Sequence, residues 1–196
     1  VENRATMLDV VRRVSEATTI PFTVGDGIAD VASAAAVLAA GANKVSTSSA
    51  VFRKPELIAE MVKAFGADKV TVAIDVARSA AMPSGYEVWI DGGRTATGVD
   101  AIEWAKRVDG FGVETILPTS KSTDGAKTGY DLPLIRQMRA ATSAAIVASG
   151  GAGTLEHFLE AVQAGATILL AASVFHFKII GIQELKAFLK ARGAGA

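Results

Sequence analysis

Two kinds of residue in this chain are placed to do chemistry: a carboxylate that closes an apolar run, and glycine pairs that open helical patterns. Asp75 ends the run VTVAID at residues 70–75, which reads as a strand buried on both faces. A carboxylate there can be tuned by its surroundings for proton transfer, or it can cap the next turn. The residues alone leave both open. Ser149-Gly150-Gly151 precedes a helical pattern, and Ala172-Ser173 ends an apolar run before a short turn. Glycine lets a backbone approach a ligand closely, and N–H groups at a helix start favour a phosphate. The plain alternative is a tight turn with no ligand. Asp124-Gly125, in KSTDGAKTGYD, either orders a loop over a ligand or forms a turn; the loop is long and polar, as functional loops often are.

A repeat favours ligand binding. Residues 146–173, IVASGGAGTLEHFLEAVQAGATILLAAS, align without gaps on residues 22–49, FTVGDGIADVASAAAVLAAGANKVSTSS. Gly27 falls on Gly151, Gly41 on Gly165 and Ser49 on Ser173. The earlier turn, with Gly27, Ser48 and Ser49, is thus a further candidate anion site. Two such sites on opposite sides of one mouth suit a substrate that carries two phosphates.

These residues must be held by alternating strands and helices. Met7, Leu8, Val10, Val11 and Val14 give residues 3–17 a helical period, with Asn3 or Thr6 as cap. Strands are expected at 20–24, 44–49, 70–75, 115–120, 145–149 and 167–172. Helices are expected at 30–40, 55–65, 100–108, 132–140 after Asp131, and 182–191, with one more between the glycines of 146–173. Residues 78–98 read as a surface hairpin inserted after the third strand. Alternation of this kind implies parallel pairing through right-handed crossovers. Polar or small residues follow each strand, at the end where both barrels and open sheets place their sites. The expected fold is an incomplete (βα)8, TIM-type barrel of about six parallel βα units, with an open doubly wound sheet as the alternative. As a single partial-barrel domain, residues 1–196 divide into a leading helix (1–19), a first phosphate-site unit (20–66), central units with the hairpin (67–144), and a second phosphate-site unit with the terminal helix (145–196).

Composition narrows the function. With 196 residues and 50% apolar content the chain can bury a sizeable core. Lys plus Arg balance Asp plus Glu at 20 each, so no basic excess draws nucleic acid. No apolar run approaches the roughly 20 residues of a membrane span, and the first residues lack a signal-peptide core. The chain has no cysteine and two histidines, His157 and His176. That removes thiol chemistry and leaves too few soft ligands for a typical metal cluster. A cytoplasmic protein with no metal and no cofactor is expected. His157 reads as a solvated or packed helical residue, His176 as an anchor of the last loop, Trp89 and Trp104 as packing residues, and Arg12-Arg13 as a solvated helix face.

Taken together, PFTVGDGI, VTVAID, TDGAKTGYD, IVASGGAGTLEHFLEA and LAASVFHF stand in the order and spacing of one family. The chain resembles the cyclase subunit of imidazole glycerol phosphate synthase (HisF), a histidine-pathway (βα)8 barrel. The resemblance implies an ammonia-dependent cyclase that acts on a bisphosphorylated ribotide and partners a glutaminase subunit. It places Asp75 on the second catalytic aspartate of the family, a general acid/base in ring formation. Gly27, Ser48 and Ser49 fall on one phosphate site, and Asp124, Gly125, Gly151, Ala172 and Ser173 on the other. Lys44 falls on a lysine of the charged gate that admits ammonia. Several positions differ from the family pattern. Asp26 replaces a glycine and Ser122 an aspartate; Thr115 stands where the gate has glutamate, and Asn43 where the glutaminase-facing surface has aspartate. The first two βα units match only through residues 3–17, and the first catalytic aspartate has no counterpart, so reduced activity is expected, or a non-catalytic phosphate-binding piece or scaffold. The strands at 20–24 and 167–172 would then be open apolar edges, through which the chain is expected to form a homo-oligomer.

Overall fold

The structure is a computed structural model that describes residues 2–25 and 27–194, with side chains from Met7 onward. Asp26 and the side chains of Asn3 and Thr6 lie outside the described residues. The chain forms two compact units.

The first unit takes Val1–Ala73 and Val108–Thr115. It opens on α1 (Glu2–Ala17), followed by β1 (Thr23–Val24), α2 (Val31–Ala39), β2 (Lys44–Thr47), α3 (Ser49–Arg53), α4 (Glu56–Phe65), a 3-10 turn (Ala67–Lys69) and the first half of β3 (Val70–Arg78). β1 is shorter than the expected 20–24. Pro21 has no N–H to give to a ladder, and the neighbouring bonds go to Asn43 instead: its Oδ1 accepts the Phe22 N–H at 3.0 Å, and its own N–H donates to the Phe22 carbonyl at 3.0 Å. The expected strand at 44–49 stops at Thr47, and Ser49 begins a short helix. β2 lies parallel between β1 and β3, with Thr23 opposite Lys44 and Val45 opposite Val70. Val37, Val45, Val51, Ile58, Met61 and Val70 are wholly buried around it, each contributing on the order of 1.5–3 kcal/mol.

The second unit takes Ile74–Arg107 and Ile116–Ala196. The rest of β3 meets β4 (Tyr86–Ile90), which meets β5 (Thr95–Asp100), both antiparallel. The hairpin therefore runs to Asp100 rather than to residue 98, and β3 extends past residue 75 because β4 supplies hydrogen-bond partners for residues 75–78. Then come α5 (Ala101–Asp109), β6 (Thr115–Ser120), α6 (Leu132–Ala141), β7 (Ala145–Ala148), α7 (Leu155–Gln163), β8 (Ile168–Leu169), α8 (Ser173–His176) and α9 (Ile182–Ala191). β8 is shorter than the expected 167–172, yet its flanks still bond to β7: Thr167 N–H donates to Ile146 O at 3.0 Å and Leu170 N–H to Ala148 O at 2.9 Å. Ile74, Ile116, Leu134, Met138, Ile146 and Phe158 form the core. Phe158 meets Tyr130 edge-on at 5.8 Å and stacks with Phe175 at 5.8 Å. The carboxylate of Asp131, 1% exposed, accepts from Tyr86 Oη at 2.7 Å, Ser120 Oγ at 3.2 Å and the Leu134 N–H at 3.3 Å, and pairs with Arg78 at 3.3 Å. A buried carboxylate is tolerable only when satisfied in this way.

Along the sheet the order is β1-β2-β3-β6-β7-β8, with the hairpin as a branch. The order follows the sequence with no reversal, which excludes the doubly wound alternative. The fold is an incomplete TIM-type barrel, six βα units of the eight. The repeat persists down to single atoms. α2 and α7 each have nine residues. Ser33 Oγ accepts the N–H groups of Ala29 and Asp30 at 3.2 and 3.1 Å, and His157 Nδ1 accepts those of Gly153 and Thr154 at 3.1 and 3.3 Å. His157 is thus a helix cap, at the position aligned with Ser33 in the repeat, rather than a solvated side chain.

Candidate functional site

Asp75 lies within β3, between buried Ile74 and Val76, and not at the strand's end as expected. Its carboxylate is half-buried. Burial pushes it above the usual carboxylate value; the Lys121 ammonium pulls it down, and the Asp124 carboxylate adds to the rise. A rise in this direction favours the protonated form more than in a free carboxyl group. Directly opposite, on β4, stands Trp89, whose indole N–H is enclosed and has no hydrogen-bond partner among the described residues.

The second glycine turn forms a real cavity. Asp124, Gly125, Gly150, Gly151, Ala172 and Ser173 line one space of about 170 Å³, joined by Lys127, Ser149 and Leu170. The loop after β6 is tied to the backbone of the turn after β7: Gly129 N–H donates to Gly151 O at 2.8 Å, and the Thr123 Oγ1 hydroxyl donates to Gly150 O at 3.0 Å. The close approach requires glycine. A Cβ on Gly151 would sit 2.0 Å from Gly129 O. Asp75 is not among the residues lining this cavity, but its carboxylate feels that of Asp124, which does line it.

The first turn is less enclosed. Gly27 is exposed with φ of 68°, and Ser48 and Ser49 are half-buried at the start of α3. Ser48 is the N-cap residue and makes no side-chain cap bond. Asp26, which stands where the family pattern has glycine, lies outside the described residues.

Lys44 Nζ stands 3.5 Å from Glu114 Oε2. Thr115, at the gate's glutamate position, is buried in β6, and the carboxylate facing Lys44 comes from the preceding residue. Both partners are partly exposed, and such pairs contribute little to stability.

Sequence reasoning missed two residues, Lys121 and Lys127, and read a third, Trp89, as packing alone. Lys127 stands in the quoted TDGAKTGYD string and carries the one cation among the residues lining the cavity. Its φ of 57° leaves no trace in residue type. Lys121 and Trp89, far apart in sequence, meet at 3.3 Å from ammonium to ring centroid. Trp104 is buried, as its packing role required. His176 packs edge-on against Phe177 at 4.9 Å. Among the described residues no helix is long and apolar enough to cross a membrane.

A sequence-family model described as "Histidine biosynthesis protein" matches residues 1–181. The chain is 47% identical over 194 residues to the imidazole glycerol phosphate synthase subunit HisF of Thermobifida fusca (strain YX), covering 97% of this chain and 76% of that protein. It is 48% identical over 194 residues to the subunit of the same name from Mycobacterium tuberculosis (strain ATCC 25177 / H37Ra), covering 97% and 73%. A third, from Pyrobaculum aerophilum, is 46% identical over 192 residues, covering 98% and 75%. Joined to the strand order and the paired glycine turns, these matches leave one conclusion: the chain belongs to the histidine biosynthesis protein family, and within it to the HisF cyclase subunits of imidazole glycerol phosphate synthase.

Proposed function

We propose that the chain carries the cyclase chemistry of histidine biosynthesis. Ammonia and a bisphosphorylated ribulosyl formimino-carboxamide ribotide become imidazole glycerol phosphate and aminoimidazole carboxamide ribotide. Asp75 is the general acid/base. Gly125, Gly150, Gly151, Ala172 and Ser173, with Asp124 and Lys127, hold one phosphate, and Gly27, Ser48 and Ser49 the other. Lys44 belongs to the ammonia gate, whose supplier is a glutaminase subunit. The observation that carries this reading is that the loop lining the glycine cavity leaves β6 beside Asp75: Lys121 N–H donates to Val76 O at 2.9 Å, and Asp124, three residues on, lines the cavity. A proton-transfer group and a phosphate cradle then share one neighbourhood.

In this chain the resemblance supplies one of the family's two catalytic aspartates, so turnover by the 196 residues alone should be low. The test is ammonia-dependent turnover of the ribotide, by the chain alone and after adding a piece that holds two N-terminal βα units. Turnover in either case supports the reading. Binding of inorganic phosphate without any turnover would leave a phosphate-binding barrel piece in its place.

Exposed apolar side chains favour a second property. Ile20, beside β1, is 71% exposed, while Ile168 and Leu170, at β8, are 42% and 41% exposed. Strand edges that carry such residues recruit further strands. The chain is therefore expected to self-associate, and light scattering at micromolar concentration should give a mass above that of one chain. A stable monomer would sink the idea.

A further inference from the structure

Lys121 is the first residue after β6, and neither the repeat nor the glycine cavity requires a cation there. Its backbone N–H donates to Val76 O at 2.9 Å, one residue from Asp75. Its ammonium lies 3.3 Å from the centroid of the Trp89 ring and donates to the Gly93 carbonyl in the turn between β4 and β5. Asp75 and Trp89 are directly opposite on antiparallel strands, so their side chains leave the sheet on the same face. One ammonium thus touches the hairpin twice, once on the ring of the residue opposite Asp75.

We propose that Lys121 is a positioning residue of the acid/base site: it pins the β4–β5 turn to the end of β6 and holds a positive charge against the Asp75 carboxylate. The charges facing Asp75 come from two places, the Lys121 ammonium at the end of β6 and the Asp124 carboxylate in the loop that follows, and they act in opposite senses. Arg78, farther along β3, is engaged by Asp131. The cation therefore offsets part of what burial and Asp124 do to Asp75. The Asp75 carboxyl group is held below where burial and Asp124 alone would put it, and the Trp89 ring opposite it on β4 is kept in place. A lysine that only fastened the hairpin would leave the titration of Asp75 unchanged.

For its consequence in catalysis the proposal rests on Asp75 as the acid/base group, but its test needs no turnover. Side-chain carboxyl carbons of labelled aspartates are titrated by NMR, with the Asp75 signal assigned by its loss in Asp75→Asn. Lys121→Met should move the Asp75 midpoint upward, and Lys121→Arg should leave it near that of the wild type. Amide exchange at Gly92, Gly93 and Arg94 should quicken about two- to fivefold in Lys121→Met, as loss of an exposed cation–π contact predicts. Lys121→Gln, which keeps a polar stem without the charge, should repeat both shifts and guards against a folding defect peculiar to methionine. An Asp75 midpoint unmoved in folded Lys121→Met and Lys121→Gln overturns the proposal. If the midpoint moves while the wild type shows no turnover under any completion, the cyclase reading fails and the role of Lys121 stands.

Discussion

Asp75→Asn is expected to lower ammonia-dependent turnover by about 10²–10⁴-fold, the usual contribution of a positioned acid or base, without weakening the fold. The two halves of that statement come from the same environment. Burial is the largest influence on Asp75 and raises its pKa, Asp124 adds to the rise, and Lys121 only partly opposes them. A folded-state pKa above the unfolded value means that the native protein binds the proton more tightly. Stability then falls as pH rises from the unfolded value through the folded one, and the cost is fully present above both. Asparagine cannot ionise, so it removes that cost: at neutral pH the variant should unfold at the same urea concentration as the wild type or a higher one. Below the carboxylate range the two should converge. The raised pKa also places the acid limb of the wild-type pH–rate profile above the usual carboxylate range. If Asp75→Asn kept full turnover, Asp75 would not be the acid/base group. If it lost turnover together with stability at neutral pH, the assignment of its environment would be wrong.

The parts of the molecule legible in the sequence were those in which one residue type has one physical reason. Glycine at positions 27, 41, 151 and 165 marks backbone with positive φ, and the six apolar runs mark strands, of which the four inner ones carry buried residues. The order of the sheet followed from their alternation with helices. What stayed hidden depended on partners distant in the chain. Strand ends moved because pairing, not hydrophobicity, decides where a ladder stops. Residues 75–78 remain in β3 because β4 pairs with them, and Ser49 leaves β2 to start α3. His157 looked like any helical histidine until its ring nitrogen was seen to accept the Gly153 and Thr154 N–H groups. The same position in the other half is Ser33, which accepts through oxygen. Imidazole and hydroxyl share no side-chain pattern, only the geometry of an acceptor at the third helical position. The contact between Lys121 and Trp89 is hidden for a related reason, since a cation over a ring leaves no periodicity.

The two glycine turns are aligned in sequence but differ in what a side chain would meet, and that difference yields the second large effect. Gly151 has φ of 111°, where an L-residue is strained. A Cβ there would lie 2.0 Å from the Gly129 carbonyl oxygen, 2.8 Å from its carbon and 3.0 Å from Thr123 Cβ. The obstruction is backbone, and the Gly129 N–H bond to Gly151 O at 2.8 Å locks the two segments together, so neither can give way alone. Gly151→Ala should therefore cost about 2–5 kcal/mol, the sum of left-handed strain and overpacking, read as a shift in the urea midpoint. It should also weaken inorganic phosphate by about tenfold or more, because moving the cradle loses charge-assisted bonds worth about 1.5–3 kcal/mol each. Gly27 has φ of 68°, but among the described residues beyond its chain neighbours a methyl group there would meet nothing within 4 Å, so Gly27→Ala carries only the conformational term, about 1–2 kcal/mol. The pair of variants separates strain shared by both turns from crowding unique to one. Equal stabilities, with phosphate affinity unchanged in both, would mean that the glycine cavity is a tight corner and not a phosphate site. A larger loss at Gly151 in both measurements would mark it as the better enclosed of the two anion turns, because there the neighbouring backbone is already in contact.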